Sequence, residues 1–470
     1  MIPVTIMRGR DVALFGLGGS GMATARALRE GGANAIVWDD NPGRVEAALG
    51  EGFEAADLRE ADWSRFAALV VAPGVPLTHP KPHWTVDLAH SASIEVIGDI
   101  ELFCRERAAI CPEAPFVAIT GTNGKSTTTA LIAHLLREVG RNVQMGGNIG
   151  VPILELEPPS PDRVHVVECS SYQIDLAPSL NPSVGVLLNI TPDHLDRHGT
   201  FENYAAIKTR LVAESDVAVI VCDGETERQI AKHLQLGSVV RSVSTTWDWN
   251  RPRVEGPDAC DDDSYLSIVN TNNRSVWKRH WGRNGRMAPN ALKGPHNEQN
   301  VLAALLTCRE LGVDLDSASN ALDSFPGLAH RMEPLAESSS ALFVNDSKAT
   351  NAASTYWALS SFSGERTLHW IAGGLAKDGG IESLRPLFGH VERAYLIGEA
   401  APQFAATLGD TVPYEISGTL DVAVAHAARD AREAGGGVVL FSPAAASFDQ
   451  FRNFEERGEA FRRAVAALGD

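Results

Sequence analysis

Short runs rich in Val and Ile alternate with Ala-rich stretches of helical spacing along almost the whole chain. Brief apolar runs predict buried strands, and their alternation with helices predicts βαβ units in mostly parallel sheets. The pattern predicts a strand at 12–15, a glycine turn, a helix from about Gly21, and a short strand at 35–38. Residues 105–115 are polar and end in Cys-Pro-Glu-Ala-Pro, which reads as a linker. A second α/β unit then opens with a strand at 116–119 and continues with strands at 164–167 and 184–190 and a helix at 301–311. A junction bearing Pro and Gly covers 322–330, and strands at 342–344, 368–372, 394–397 and 438–441 predict a third α/β domain. Residues 245–290 break the pattern. They read as a strand-containing excursion on the surface of the middle domain, with the basic run Lys278, Arg279, Arg283 and Arg286 as a solvated face.

Length agrees with that division, since 470 residues give about three domains at roughly 100–200 residues each. Hydrophobic residues at 44% and charged residues at 21% are the balance of a soluble globular protein. No apolar run is long enough to span a bilayer, and residues 1–10 lack the apolar core of a signal peptide, so membrane insertion and secretion are not expected. The cysteines at 104, 111, 169, 222, 260 and 308 include no CxxC pair. Reduced thiols in the cytoplasm are expected, not a disulfide framework or a zinc site. A net charge of −18 argues against nucleic acid as partner. Anionic small molecules remain open to it, because lysines, loop amides and a metal can hold them locally.

Chemistry concentrates at predicted strand ends. Thr120-Gly121-Thr122-Asn123-Gly124-Lys125-Ser126-Thr127 follows a strand and precedes a helix predicted near Thr128. In that setting the loop amides and the helix N-terminus cradle phosphates, Lys125 reaches the β- and γ-phosphates, and Ser126 ligates Mg2+. A nucleoside triphosphate is therefore expected. The spacing is tighter than in the usual phosphate loop. Gly16-Leu-Gly18-Gly19-Ser20-Gly21, with Asp39 closing the next strand, is by itself a dinucleotide fingerprint. An NAD-dependent oxidoreductase would use it, but any anionic nucleotide can use the same turn. Glu168 ends the strand 164–167, where a carboxylate beside a phosphate loop suits Mg2+. The run from Asn189 through Asp193, His194, Asp196 and His198 fits metal or phosphate chemistry and fits a helix cap equally well. The third domain presents 345–351 (Asn-Asp-Ser-Lys-Ala-Thr-Asn), Gly373, Gly374 and Lys377 after its strands.

In order, GLGGSG, APGV, GDIELF, TGTNGKSTTT, GGNIG, ECSSYQID, NITPDHLDRHG, AAIK, GPHNEQN, HRME, NDSKATN, GGLAKDGG and SPAAASFDQFRNFEERG resemble the Mur ligase family nearly end to end. The resemblance is closest, through GDIELF, NDSKATN and ASFDQFRNFEERG, to members that join glutamate to UDP-N-acetylmuramoyl-L-alanine. It implies an α/β protein of three domains: Rossmann-like at 1–98, P-loop ATPase-like at 99–327, and Rossmann-like at 328–470. These would bind the UDP-substrate, ATP and glutamate respectively. It implies an ATP-dependent ligase of peptidoglycan synthesis, acting as a cytoplasmic monomer with two Mg2+ ions. The glycine turn would then hold a UDP diphosphate. L-glutamate in place of D-glutamate is the alternative within this chemistry.

The resemblance also assigns roles. Gly19 and Ser20 would lie near the UDP, Asp39 and Asp40 near the uracil, and Gly74 and Asn148 at the sugar–phosphate part. Asn41 stands where relatives can carry an arginine against the base. Gly121–Thr127, Asn297, Asn300, Arg331 and Asp346 would bind ATP. Lys125, His194 and Lys208 would be catalytic. Ser126, Glu168, His194 and Lys208 would hold metal, with Lys208 carbamylated by CO2. Lys348, Thr350, Lys377, Ser447, Phe448 and Phe454 would bind glutamate.

Overall fold

The computed structural model describes all residues except 236–238, 245–291, 293–294, 338–340, 363–366, 378 and 469–470. The excursion at 245–290 and Cys260 lie outside the described residues, as does part of GPHNEQN. Three sheets carry the fold. The first has the order β3-β2-β1-β4-β5, all parallel, from β1 (Asp11–Phe15), β2 (Asn34–Trp38), β3 (Glu54–Ala55), β4 (Phe66–Val71) and β5 (Val96–Ile97).

The second sheet is also wholly parallel, in the order β11-β10-β9-β6-β8-β7. Its strands are β6 (Phe116–Thr120), β7 (Asn142–Gly147), β8 (Arg163–Glu168), β9 (Val184–Leu187), β10 (Val217–Val221) and β11 (Val239–Val243). The third has β12 (Glu333–Glu337), β13 (Leu342–Asn345), β14 (Leu368–Gly373), β15 (Arg393–Ile397), β16 (Tyr414–Gly418) and β17 (Val438–Phe441). Its order is β12-β13-β17-β14-β15-β16, and only β12 runs antiparallel.

Covered sheets explain why the strands read as unbroken apolar runs. Val12 and Leu14 enter one core while Ala13 and Phe15 enter another. Leu342 and Val344 likewise face one core and Phe343 the other. Successive side chains point to opposite faces, so burial of both faces makes every position apolar. The described parts of 1–284 and 299–322, with the first two sheets, form one compact unit, and those of 285–298 and 323–470, with the third sheet, form a second.

Two expectations need correction. The supposed linker begins inside the helix Asp99–Ile110, whose charges are used internally. Glu106 accepts from the N–H groups of Thr5 (2.7 Å) and Ile6 (3.1 Å), and buried Arg107 donates to the carbonyl of Ala114 (2.8 Å). The strand predicted at 184–190 ends at Leu187, since residues 188–190 turn toward the phosphate loop. Cys104, Cys111, Cys169, Cys222 and Cys308 are free and buried. Among the described residues no helix is long and apolar enough to cross a membrane.

Candidate active site

β6 lies between β8 and β9, and the chain leaves it to build outward on one side before crossing to the other. Such a switch point opens a crevice at the strand's C-terminal end, and the loop after Thr120 occupies it. Gly124 has φ +84 and caps the helix Lys125–Glu138. The left-handed residue turns the chain straight into the helix, so Lys125, Ser126 and Thr127 form its first turn, earlier than the start expected near Thr128. The N–H groups of a helix's first turn point along its axis, and with the helix dipole they make an anion site.

A collar from the end of β9 fixes this loop. Thr122 N–H donates to the carbonyl of Asn189 (2.7 Å), and Asn123 N–H donates to Asn189 Oδ1 (2.8 Å). Asn189 Nδ2 returns a bond to the carbonyl of Asn123 (3.1 Å). Thr122 Oγ1 accepts from Thr191 N–H (2.9 Å) and lies 3.0 Å from the Tyr204 hydroxyl. Lys125 Nζ donates to the carbonyls of Gly121 and Thr122. Asn300 Oδ1 accepts from Thr128 (3.1 Å), and a Cβ on Gly124 would stand 2.5 Å from that oxygen.

Glu168 ends β8 beside Ile119 of β6. Its Oε1 accepts from Asn148 Nδ2 (2.7 Å), while its buried Oε2 has no hydrogen-bond partner among the described residues. An orphaned carboxylate oxygen at this strand end fits a divalent cation. Lys208, on the helix Phe201–Ala213, is buried and donates to Thr120 Oγ1 (3.1 Å) and to the Gly121 carbonyl (2.9 Å). Burial, then the nearby charge of Lys125, holds its pKa well below the lysine range. A neutral amine is the form that can take up CO2. His194 adopts a left-handed φ of +53; its side chain is about half exposed, and partial desolvation, with Lys125 and Lys208 nearby, lowers its pKa. The neutral imidazole that results is the ligating form. Among the described residues no group of three His, Cys, Asp or Glu side chains makes a metal site.

The first sheet repeats the arrangement at β1, whose end carries Gly16–Gly21. A side chain on Gly21 would collide with the Gly16 carbonyl, so only glycine closes this turn. Asp39 braces it, accepting from Leu17 N–H (2.7 Å) and Asn41 N–H (2.8 Å). Burial pushes the Asp39 carboxyl up, but these N–H groups and Arg44 outweigh it and hold its pKa below the usual range. Asp40 faces Arg59 (3.0 Å) and His83 (3.4 Å), and Arg59 stacks 4.0 Å from the Trp84 ring. Asn41 is the N-cap of the helix Pro42–Gly50, a role its short amide serves and an arginine would not. Gly19 and Ser20 open the helix Gly19–Glu30, and the Gly74 carbonyl accepts from Arg197. Asn148, expected at the sugar–phosphate part, stands beside Glu168.

In the second unit, Asp346 follows β13 and accepts from Met332 N–H (3.2 Å) and the Ser442 hydroxyl (2.7 Å). Burial pushes its carboxyl up to about 7. Arg331 lies close enough to favour the charged form. Lys348 Nζ sits 4.9 Å from the Phe454 ring, and Thr350 N–H donates to the Lys348 carbonyl. Ser447 is buried, whereas Phe448 is 69% exposed. Lys377 is exposed after β14. Asn297 is buried in the first turn of the helix Pro295–Glu310.

Four further residues organise these sites without having been singled out from sequence: Asn189, Tyr204, Arg197 and Arg457. Buried Arg457 donates to Ser347 Oγ, to the Ser347 carbonyl and to the carbonyls of Ala445 and Ala446. It thereby ties the segment after β13 to the one after β17. Each lies inside or beside a motif already noted, but works through backbone atoms or, for Tyr204, through a distant hydroxyl that no motif displays.

The model of the Mur ligase middle domain matches residues 119–308. A UDP-N-acetylmuramoylalanine–D-glutamate ligase of Mesorhizobium japonicum is 58% identical over 100% of this chain and 98% of its own length. One from Brucella abortus is 56% identical over the same shares. Among solved structures, the UDP-N-acetylmuramate–alanine ligase of Thermotoga maritima has TM-score 0.56 at 15% identity, covering 98% of this chain and 100% of that one. A MurF ligase of the same organism, in complex with ADP, has TM-score 0.55 at 17% identity, covering 100% and 98%. These two likenesses show the three-domain α/β fold. The dehydrogenase reading of the first glycine turn is not favoured. With more than half of its residues shared, end to end, with relatives of one name, this chain belongs to the Mur ligase family.

Proposed function

We propose that this chain joins D-glutamate to UDP-N-acetylmuramoyl-L-alanine at the expense of ATP, in the cytoplasmic stage of peptidoglycan synthesis, acting as a monomer. The observation that carries the reading is its full-length identity with relatives of that name. The braced phosphate loop beside Glu168 and Lys208 supports it.

In this reading the alanyl carboxylate attacks the γ-phosphorus of ATP, giving an acyl phosphate and releasing ADP. The amine of D-glutamate then adds to the acyl carbon, and the tetrahedral intermediate expels phosphate, leaving an amide. Lys125 and the amides of 121–127 bind and orient the triphosphate and offset the repulsion between two approaching anions. Ser126, Glu168, His194 and carbamylated Lys208 would hold Mg2+, which supplies charge neutralisation at the phosphates. Asn297 and Asn300 are assigned to the adenine of ATP, Arg331 to its phosphate or ribose, and Asp346 to its ribose or adenine side. Gly19, Ser20, Asp40 and Gly74 are assigned to the UDP-substrate, with Asp39 bracing the glycine turn. Lys348, Thr350, Lys377, Ser447, Phe448 and Phe454 are assigned to glutamate.

The test measures phosphate release with ATP, UDP-N-acetylmuramoyl-L-alanine and D-glutamate, leaving out each in turn and then substituting L-glutamate. Release that needs all three and fails with L-glutamate is expected. Release that ignores glutamate, or equal rates with both enantiomers, overturns the reading.

A further inference from the structure

The turn at 73–75, which follows β4, turns three successive carbonyls onto one side chain. Arg197 donates through Nη1 to Gly74 (2.6 Å) and through Nη2 to Val75 (2.8 Å) and Pro73 (3.5 Å). Its guanidinium also lies 4.5 Å from the centre of the Tyr172 ring. Only a planar fork meets carbonyls on both arms while stacking on an aromatic face. Two residues on, Gly199 (φ +76) gives passage to the same segment, since a Cβ there would stand 2.7 Å from the His79 ring. The segment after β4 is therefore seated on the short helix Leu195–His198 and its C-terminal turn.

That helix is itself tied to the phosphate site. Tyr172 packs its ring 5.1 Å from His194 and 5.5 Å from His198. His198 Nε2 pairs with Ser171 Oγ (2.9 Å), and its ring lies 5.5 Å from Tyr204. The Tyr204 hydroxyl reaches Thr122 of the phosphate loop at 3.0 Å. The contacts are contiguous from the 73–75 turn to the loop, and within them Arg197 holds the turn by hydrogen bonds to all three carbonyls.

We infer that Arg197 is a positioning residue: it holds the 73–75 turn in register with the phosphate loop, so that the nucleotide-sugar and the triphosphate are presented to one another correctly. The inference rests on the ligase reading above, and it adds a residue and a coupling to it. Loss of the fork frees the turn without touching the phosphate loop's own collar. The expected signature is therefore a weakened nucleotide-sugar with unchanged nucleotide binding.

The experiment compares the wild-type chain with Arg197→Met and Arg197→Lys, after thermal melting shows that each variant is folded. KM for UDP-N-acetylmuramoyl-L-alanine is expected to rise about 30-fold in Arg197→Met, as loss of one or two charge-assisted bonds implies. The dissociation constant for ADP with Mg2+, from titration calorimetry, is expected to stay within about twofold. Lysine keeps the charge but not the fork, so Arg197→Lys should retain most of the KM defect. An unchanged KM, full rescue by lysine, or an equal loss of ADP affinity overturns the inference. Wild-type protein that fails to turn over the nucleotide-sugar would overturn the ligase reading instead, which keeps the two failures apart.

Discussion

At the residue scale, burial holds two ionisable groups neutral by shifting them in opposite directions. Lys208 is sealed beneath the phosphate loop, where burial and the charge of Lys125 favour its neutral form. A neutral amine there repels Lys125 less and can react with CO2. Lys208→Ala is expected to lower the rate of ligation by about 10²-fold or more, the usual cost of one charge-stabilising group. Acetate or formate should restore part of it by occupying the vacated space with a carboxylate. An inactive variant that no short carboxylate rescues would argue against a carbamate at this position. Asp346 has its carboxyl raised from 3.8 to about 7 by burial. In the window from about pH 4 to about pH 7 the native state holds a proton that the unfolded chain has released, so stability falls as pH rises. Asp346→Asn should flatten this slope, read as the denaturant midpoint between about pH 5 and about pH 8. An equal slope in both proteins would mean that another group carries it.

At the element scale, the phosphate loop was legible because its constraint is covalent: glycine at two positions, then Lys-Ser-Thr at the start of a helix. The Asn189 collar was not, since its bonds go mostly to backbone atoms 66 residues away in sequence. Strands such as β3 and β5, two residues each, are too short to show a period. The charged end of Asp99–Ile110 was misread as a linker because its partners, the N–H groups of Thr5 and Ile6, lie about a hundred residues away. Gly124 tests how far the loop depends on one backbone conformation. An alanine there must hold φ near +84 and push its Cβ to 2.5 Å from Asn300 Oδ1. Strain of this kind costs about 1–3 kcal/mol. Gly124→Ala is expected to weaken ADP binding about tenfold, measured by calorimetry. Affinity equal to wild type would show that the loop tolerates another path into its helix.

At the scale of the whole molecule, the alternation of apolar runs conveyed three mostly parallel sheets, because the central strands are buried on both faces. How the sheets divide into cooperative units was not legible, since that depends on which cores merge. Buried residues from the first and second sheets, Val12 and Leu14 with Phe116 and Val167, belong to one continuous cluster. The third sheet has its own two cores, with Trp370 wholly buried in one of them and its Nε1 donating to the Ser442 carbonyl (2.8 Å). Separate cores lose their packing separately, so differential scanning calorimetry is expected to resolve two transitions. Trp370→Ala opens a large cavity and leaves that carbonyl without its donor, a loss of about 3–5 kcal/mol. The variant should lower one transition by many degrees and leave the other in place. A single transition that moves as a whole would show instead that the three sheets unfold together.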